Sequence, residues 1–393
     1  MDAESLGGVS RYFDGLEDPR VVGRCDHALI DIVMIALVAL LGDCDDWNDV
    51  ELFGCIHEAW FKRFLKLSHG IPSHDTFERV FARLCPKQMN ACFERWVSHL
   101  CWAITGEAKT IAIDGKTLRA SASATGTDDE HKPLHLVSAW AQEAKLVLTQ
   151  VACDQKSNEI TAIPKLIEMM ELKGCTVTID AMGCQRDIAQ QLHEKGADYV
   201  LVLKGNHKTL HTQAILLLAE ADAETGEEPE RFTMATHCTD ERARGRHEVR
   251  TYTTVKLDER TSHRVKRDHW PGLSAIGRVV SVRTAKGKTT SETRYFLISD
   301  RDAEVKRFAK AARGRPRGWG IENSAHWVLD VTFGEDASRT SKDHGPENLA
   351  ILRRLAMNLF RANRKRTKIS LKGQRKMVGW NPDTVIELLT HVI

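Results

Sequence analysis

TIAIDGKTLR, Thr110 to Arg119, and TVTIDAMGCQ, Thr176 to Gln185, decide the reading of this chain. Each opens on a short apolar run rich in β-branched residues, Ile111-Ala112-Ile113 in one and Val177-Thr178-Ile179 in the other. Runs of that length and composition read as buried strands. Each closes on an aspartate, Asp114 or Asp180. A carboxylate at the end of a buried strand is costly unless it accepts several hydrogen bonds or meets a cation. Asp-Gly and Asp-Ala-Met-Gly are also turn-like, and for one strand alone a turn cap is the better reading. Two matching strands, followed far downstream by a helix bearing Glu322, point instead to a site that shares one divalent cation or a pair.

Around these strands the order of elements is informative. After the first come a polar stretch from Ala120 to Pro133 and then LHLVSAWA and KLVLTQVAC, two strands joined through Gln142 to Ala144. KSNEITAIPKLIEMMEL is a helix capped by Ser157 or Asn158; the second aspartate strand, a helix over QRDIAQQLHEKG and the strand DYVLVLKGN come next. Three strands, helix, strand, helix, strand is the order of an RNase H-like sheet, a mixed α/β sheet flanked by helices. In that arrangement the first and fourth strands lie side by side, which brings Asp114 and Asp180 together. Residues 1–104 carry helical periodicity throughout, with a buried helix from about His27 and another in GIPSHDTFERVFARL capped by Ser73 or Asp75. The stretch from about 220 to 303 turns to Thr-, Val- and Arg-rich alternation and reads as a β-rich insertion. Within it Arg244, Arg246 and Arg250 alternate with His247 and Val249 and could line one strand face.

Beyond the insertion, WGIENSAHWVLDVTFGEDASR reads as a helix with Ile321, Trp327 and Leu329 toward a core. Glu322, His326 and Asp330 then share one face at four-residue spacing. PENLAILRRLAMNLFRANRKRTK is a further amphipathic helix, whose Arg353, Arg354, Arg361, Arg364, Lys365 and Arg366 are expected to be free to meet phosphates.

The net charge of +2 hides an asymmetry: residues 1–100 hold 10 Lys/Arg against 16 Asp/Glu, and residues 301–393 hold 19 against 10. A basic end is an electrostatic footprint compatible with nucleic acid. The ten cysteines form no C-x-x-C pair, which excludes a zinc spacing and fits a reducing cytosol. The longest apolar run, Ile32 to Leu41, is too short to span a bilayer, and MDAESLGG lacks a signal pattern.

The ordered set GIPSHDTFERVF, IAIDGKTLR, LHLVSAWA, KSNEITAIP, TVTIDAMGCQ, GADYVLVLKGNH, GRHEVRTY, WGIEN, HWVLDVTFGED and ENLAILRR resembles the bacterial insertion-sequence DDE transposases that include the H-repeat-associated proteins. The resemblance implies an N-terminal helical domain over 1–104. It also implies an RNase H-like catalytic domain over 105–393, interrupted by the insertion before the catalytic helix. The acidic triad carries over as Asp114, Asp180 and Glu322, holding Mg²⁺ or Mn²⁺, two ions in the family's chemistry. Double-stranded DNA is the implied partner, with a homodimer in the DNA complex, no membrane and a cytoplasmic, nucleoid-associated setting. Lys204, Asn206, Arg244, Arg246, Arg317, His326, Arg361, Arg364, Lys365 and Arg366 are the candidate DNA contacts. One region departs from the family pattern R-x-H-W: Pro316 and Gly318 stand where Arg and His are expected before Trp319, with Arg317 a partial substitute. That departure keeps two alternatives open, an inactive DNA-binding relic and a nuclease without strand transfer.

Overall fold

The computed structural model describes residues 9–21, 23, 25–104, 110–122, 133–153, 159–224, 231–243, 245–265, 269–313, 321–363 and 368–390. It is a mixed α/β chain with nine strands among the described residues. By its contacts it forms two compact units, each assembled from separated stretches. One comprises Met1–Gly106, Gly115–Asn158 and Asn323–Ile393; the other comprises Glu107–Asp114 and Glu159–Glu322.

The first unit is mainly helical. Its helix Leu29–Leu41 is apolar around nearly its whole circumference and buried from Asp31 to Leu41, as a helix without a polar face must be. Asp31 meets that burial by accepting the Leu67 amide at 3.3 Å. Trp47, opening the helix Trp47–Ile56 under an Asp46 side-chain cap, stacks on Phe81 at 4.8 Å between ring centroids. The helix Gly345–Ala362 is buried over almost its entire length. Its polar residues are turned to internal work. Asn348 donates to the carbonyls of Phe81 and Leu84, and Asn358 pairs with both backbone groups of Val147. Val147 lies in β3 (Leu146–Cys153), which pairs antiparallel with β2 (His135–Ala141) across a bulge at Ala139/Trp140.

The second unit is built on a sheet. The first half of β1 (Thr110–Thr117) runs parallel to β4 (Thr176–Ile179), from Thr110↔Thr176 to Ile113↔Ile179. β4 runs parallel to β5 (Asp198–Leu203). The other edge of β5 takes β9 (Lys288–Ile298) antiparallel, and β8 (Ala275–Ala285), β7 (Arg246–Lys256) and β6 (Met234–Ala243) continue in antiparallel order. The β-rich stretch therefore extends the sheet outward from β5. The helix Val305–Ala312 packs Phe308 against Tyr252 and Phe296 on this sheet. Gly277 makes that approach possible, since a Cβ there would stand 2.7 Å from Phe308 Cζ.

Candidate active site

Asp114 and Asp180 each come directly after the last residue of a paired run, Ile113 opposite Ile179 on adjacent parallel strands. Both carboxylates therefore leave the same edge of the sheet, one strand apart, about 4.8 Å in the hydrogen-bonding direction. The strand residues behind them are almost fully buried, and both aspartates are half-buried. Asp180 Oδ1 accepts the amides of Met182 at 2.9 Å and Gly183 at 3.2 Å. One oxygen thus caps the turn, and Oδ2 accepts no hydrogen bond among the described residues. Next to it Cys184 is fully buried, and burial together with the charge of Asp180 pushes its thiol up to about 12. A thiol held neutral is a poor nucleophile.

Glu322 is exposed and opens a π-helical turn, Glu322–His326, ahead of the helix Trp327–Phe333. Such turns are rare and occur frequently at functional sites. Among the described residues no three His, Cys, Asp or Glu side chains gather as a metal-holding cluster. Asp114 and Asp180 follow adjacent strands, and Glu322 stands on a separate element.

The structure also corrects the expected helix face. Burial along the segment is not that of one exposed polar face: Glu322 is exposed, His326 buried and Asp330 half-buried. Ile321 and Leu329 are buried as expected, but Trp327 is 58% exposed. His326 is buried rather than presented to DNA. Burial pushes its imidazole down to about 3, with Arg354 and Lys116 adding to the effect, so it is neutral at physiological pH. Asp330 is taken by Lys116, two residues beyond Asp114.

Lys116 anchors a buried ionic network that sequence reasoning missed. Its ammonium meets Asp330 and lies 2.5 Å from Glu335 Oε2, and Arg354 Nη1 closes on Glu335 Oε1 at 2.6 Å. Burial alone would raise the Glu335 carboxyl; the charges of Arg354 and Lys116 outweigh it and hold the group down at about 2. Arg361 is likewise not free for phosphate. It is buried, donates to the carbonyls of Lys145 at 2.9 Å and of Ser324, and stacks over Trp140 at 4.5 Å. Arg353 and Arg354 are buried too. In the β stretch, Arg250 is 2% exposed and bound to Glu248 at 2.9 Å, so it lines no DNA-facing surface.

The remaining candidates divide. Lys204 and Asn206 are exposed just past β5, and Arg246 is exposed at the start of β7. Arg244, Arg317, Arg364, Lys365 and Arg366 lie outside the described residues, as does the 315–320 segment with Pro316 and Gly318. Among the described residues no helix is long and apolar enough to cross a membrane.

Asp114 and Asp180 thus follow the paired ends of two neighbouring parallel strands in a mixed α/β fold. The chain also matches two family models, "DDE_Tnp_1-associated" over residues 10–97 and "Transposase DDE domain" over residues 105–359. It belongs to the DDE transposase family, a class of DNA-processing enzymes. It is 35% identical to "Putative transposase YncI" of Escherichia coli O157:H7 over 391 residues, 98% of this chain and 95% of that one. It is 33% identical to "H repeat-associated putative transposase YhhI" of Escherichia coli (strain K12), over 95% of this chain and 94% of the relative. A solved piggyBac transposase synaptic complex with hairpin DNA aligns at 9% identity and a TM-score of 0.41, covering 98% of this chain and 78% of that one. That likeness is too weak to bear on the fold.

Proposed function

We propose that this chain cuts DNA at the ends of an insertion sequence and transfers the freed strand to a target, with Asp114, Asp180 and Glu322 as its site carboxylates. The observation that carries the reading is the register of β1 on β4, Ile113 opposite Ile179, which sets two aspartates on one sheet edge. The fold behind it is RNase H-like, with residues 105–393 catalytic, the β stretch at about 220–303 an insertion, and residues 1–104 an associated helical domain. Hard carboxylate oxygens suit Mg²⁺ or Mn²⁺. When bound, a pair of such ions activates an attacking water or 3′-hydroxyl and stabilises the leaving oxygen. Glu322, on the exposed π-turn, completes the set from a separate element; carboxylates repel one another until a cation relieves them.

The chain's own cations position the DNA. Lys204 stands exposed beyond β5. The turns of the β6–β7 and β8–β9 hairpins lie side by side because Arg246 pairs with Ala285, and Arg246, Lys286 and Lys288 are exposed there. A second copy of the chain joins in the DNA complex, in the cytoplasm on the nucleoid. The second reading, an impaired or inactive relic, is favoured by Pro316 and Gly318 in place of the family's Arg and His.

Single-turnover cleavage of an end-containing duplex tests the proposal. Wild type cuts only with Mg²⁺ or Mn²⁺, and Asp180→Asn and Glu322→Gln each lose about 10²-fold or more, since even groups behind metal ligands are worth 10–100-fold. Wild-type rates in Glu322→Gln would remove Glu322 from the site. A rise in rate in Gly318→His identifies the impaired copy, and joining of the cut end to a target plasmid separates transposase from nuclease.

A further inference from the structure

The turn that carries Asp180 is held from behind by the two residues that end the KGNH run after β5. Asn206 Nδ2 donates to the Ala181 carbonyl at 2.7 Å, and His207 Nε2 donates to the Cys184 carbonyl at 2.7 Å. Those carbonyls bracket Met182 and Gly183, the residues whose amides grip Asp180 Oδ1. Gln185 Nε2 ties the Met182 carbonyl at 3.1 Å. The turn also presses on its own strand: a Cβ at Gly183 would stand 2.2 Å from Ile179 Cγ2, so only glycine fits. The His207 ring is fixed edge-on against Trp270 at 5.3 Å, which aims Nε2 at its carbonyl. A tight turn with its carbonyls tethered cannot rotate its peptide planes, and its amides keep one direction. The carboxylate they hold then keeps one direction as well.

We infer that Asn206 and His207 are positioning residues for Asp180, acting through the Ala181–Cys184 turn rather than by touching DNA. The inference rests on the reading of Asp180 as a site carboxylate for its functional meaning, but the tethering itself does not. It reassigns Asn206, whose exposed place beside Lys204 suggests a phosphate contact. It gives His207 a role that depends on the Nε2–H tautomer.

Hydrogen–deuterium exchange of the peptide spanning Ile179 to Gln185, on the full chain without metal, reads the tether directly. Asn206→Leu and His207→Ala are expected to exchange this peptide roughly two- to tenfold faster, the range that removal of one hydrogen bond gives, with the rest of β4 and β5 unchanged. His207→Gln, which keeps an N–H donor at this position, is expected to restore slow exchange. Duplex affinity and its salt dependence remain at wild-type values in all three. Unchanged exchange in both Asn206→Leu and His207→Ala overturns the inference, and so does weakened duplex binding with unchanged exchange. Because exchange is measured without catalysis, the result holds even if wild type cuts no DNA, which would count against the proposed function alone. Where wild type does cut, Asn206→Leu raises the Mg²⁺ midpoint of cleavage about 10- to 100-fold, as loss of a supporting group does.

Discussion

Arg354 and Arg246 are both arginines in strongly basic stretches, and the structure gives them opposite environments. Arg354 has no exposed side-chain surface and closes on Glu335 at 2.6 Å inside the Lys116 network. Arg246 stands exposed where two hairpin turns meet. Arg361 belongs with Arg354: both its terminal nitrogens are taken by backbone carbonyls and its guanidinium lies on Trp140. The excess of basic residues over 301–393 is therefore partly internal wiring. A charge balance counts residues, whereas phosphate attraction depends on which of them reach water.

The contrast is broken most directly by removing the two arginines one at a time. Arg354→Met should lower the unfolding free energy by about 3–5 kcal/mol, because it leaves the buried Glu335 carboxylate short of a partner. Arg246→Met should stay within about 0.5 kcal/mol, as exposed substitutions do. Urea unfolding at pH 7 measures both. A loss below about 1 kcal/mol in Arg354→Met would mean that the network is not a structural element.

Acid sharpens the same comparison. The folded pKa of His326 is about 3, below its ordinary 6.5, so the unfolded chain binds a proton between those values and the native chain does not. The stability this provides is complete above pH 6.5 and is lost as pH falls toward 3, at up to about 1.4 kcal/mol per unit. Glu335, held at about 2 against an ordinary 4.5, adds a second loss that begins near pH 4.5 and ends near 2. Urea midpoints at stepped pH should therefore decline from pH 6.5 and steepen below 4.5. His326→Gln should flatten the upper part of the decline. A wild-type midpoint that stays level between pH 6.5 and 5 would show that His326 is not held neutral by burial.

The two aspartate strands were legible because their chemistry is local. A short β-branched run ending in Asp says strand and carboxylate at once; that the two strands are neighbours is an expectation of the RNase H-like arrangement, and the structure shows them paired in parallel. The ionic network was not legible, since Lys116 finds Asp330 and Glu335 more than two hundred residues away. The helix Gly345–Ala362 misled for a related reason. Its alternation of Arg and Leu looks amphipathic, but carbonyls and carboxylates brought in by the fold line its polar side, so the arginines are buried with their partners. The face through Glu322, His326 and Asp330 failed as an exposed polar stripe because His326 is buried and Asp330 is bound by Lys116, contacts that spacing alone does not reveal. His207 carried a signal in its position, since it directly succeeds Asn206 in the short turn after β5, the strand that pairs with β4.

The smallest effect on stability belongs to the hairpin turns, where the effect on DNA binding is most telling. Arg246, Lys286 and Lys288 are exposed, and the backbone of their turns is set by Gly245, Lys286 and Gly287 at positive φ, not by the charges. Replacing the three cations with Gln should leave unfolding within about 0.5 kcal/mol of wild type. For every duplex phosphate that is no longer neutralised, the log–log salt slope of binding should fall by about 0.9, so three would remove about 2.7. Arg361→Gln is the matching control. It removes one cation from a buried place, so it should destabilise the fold yet leave the salt slope where it was. If the triple substitution left the slope unchanged while Arg361→Gln reduced it, the comparison would be inverted: the hairpin turns would face solvent, and Arg361 would have to leave Trp140 and its two carbonyls to meet DNA.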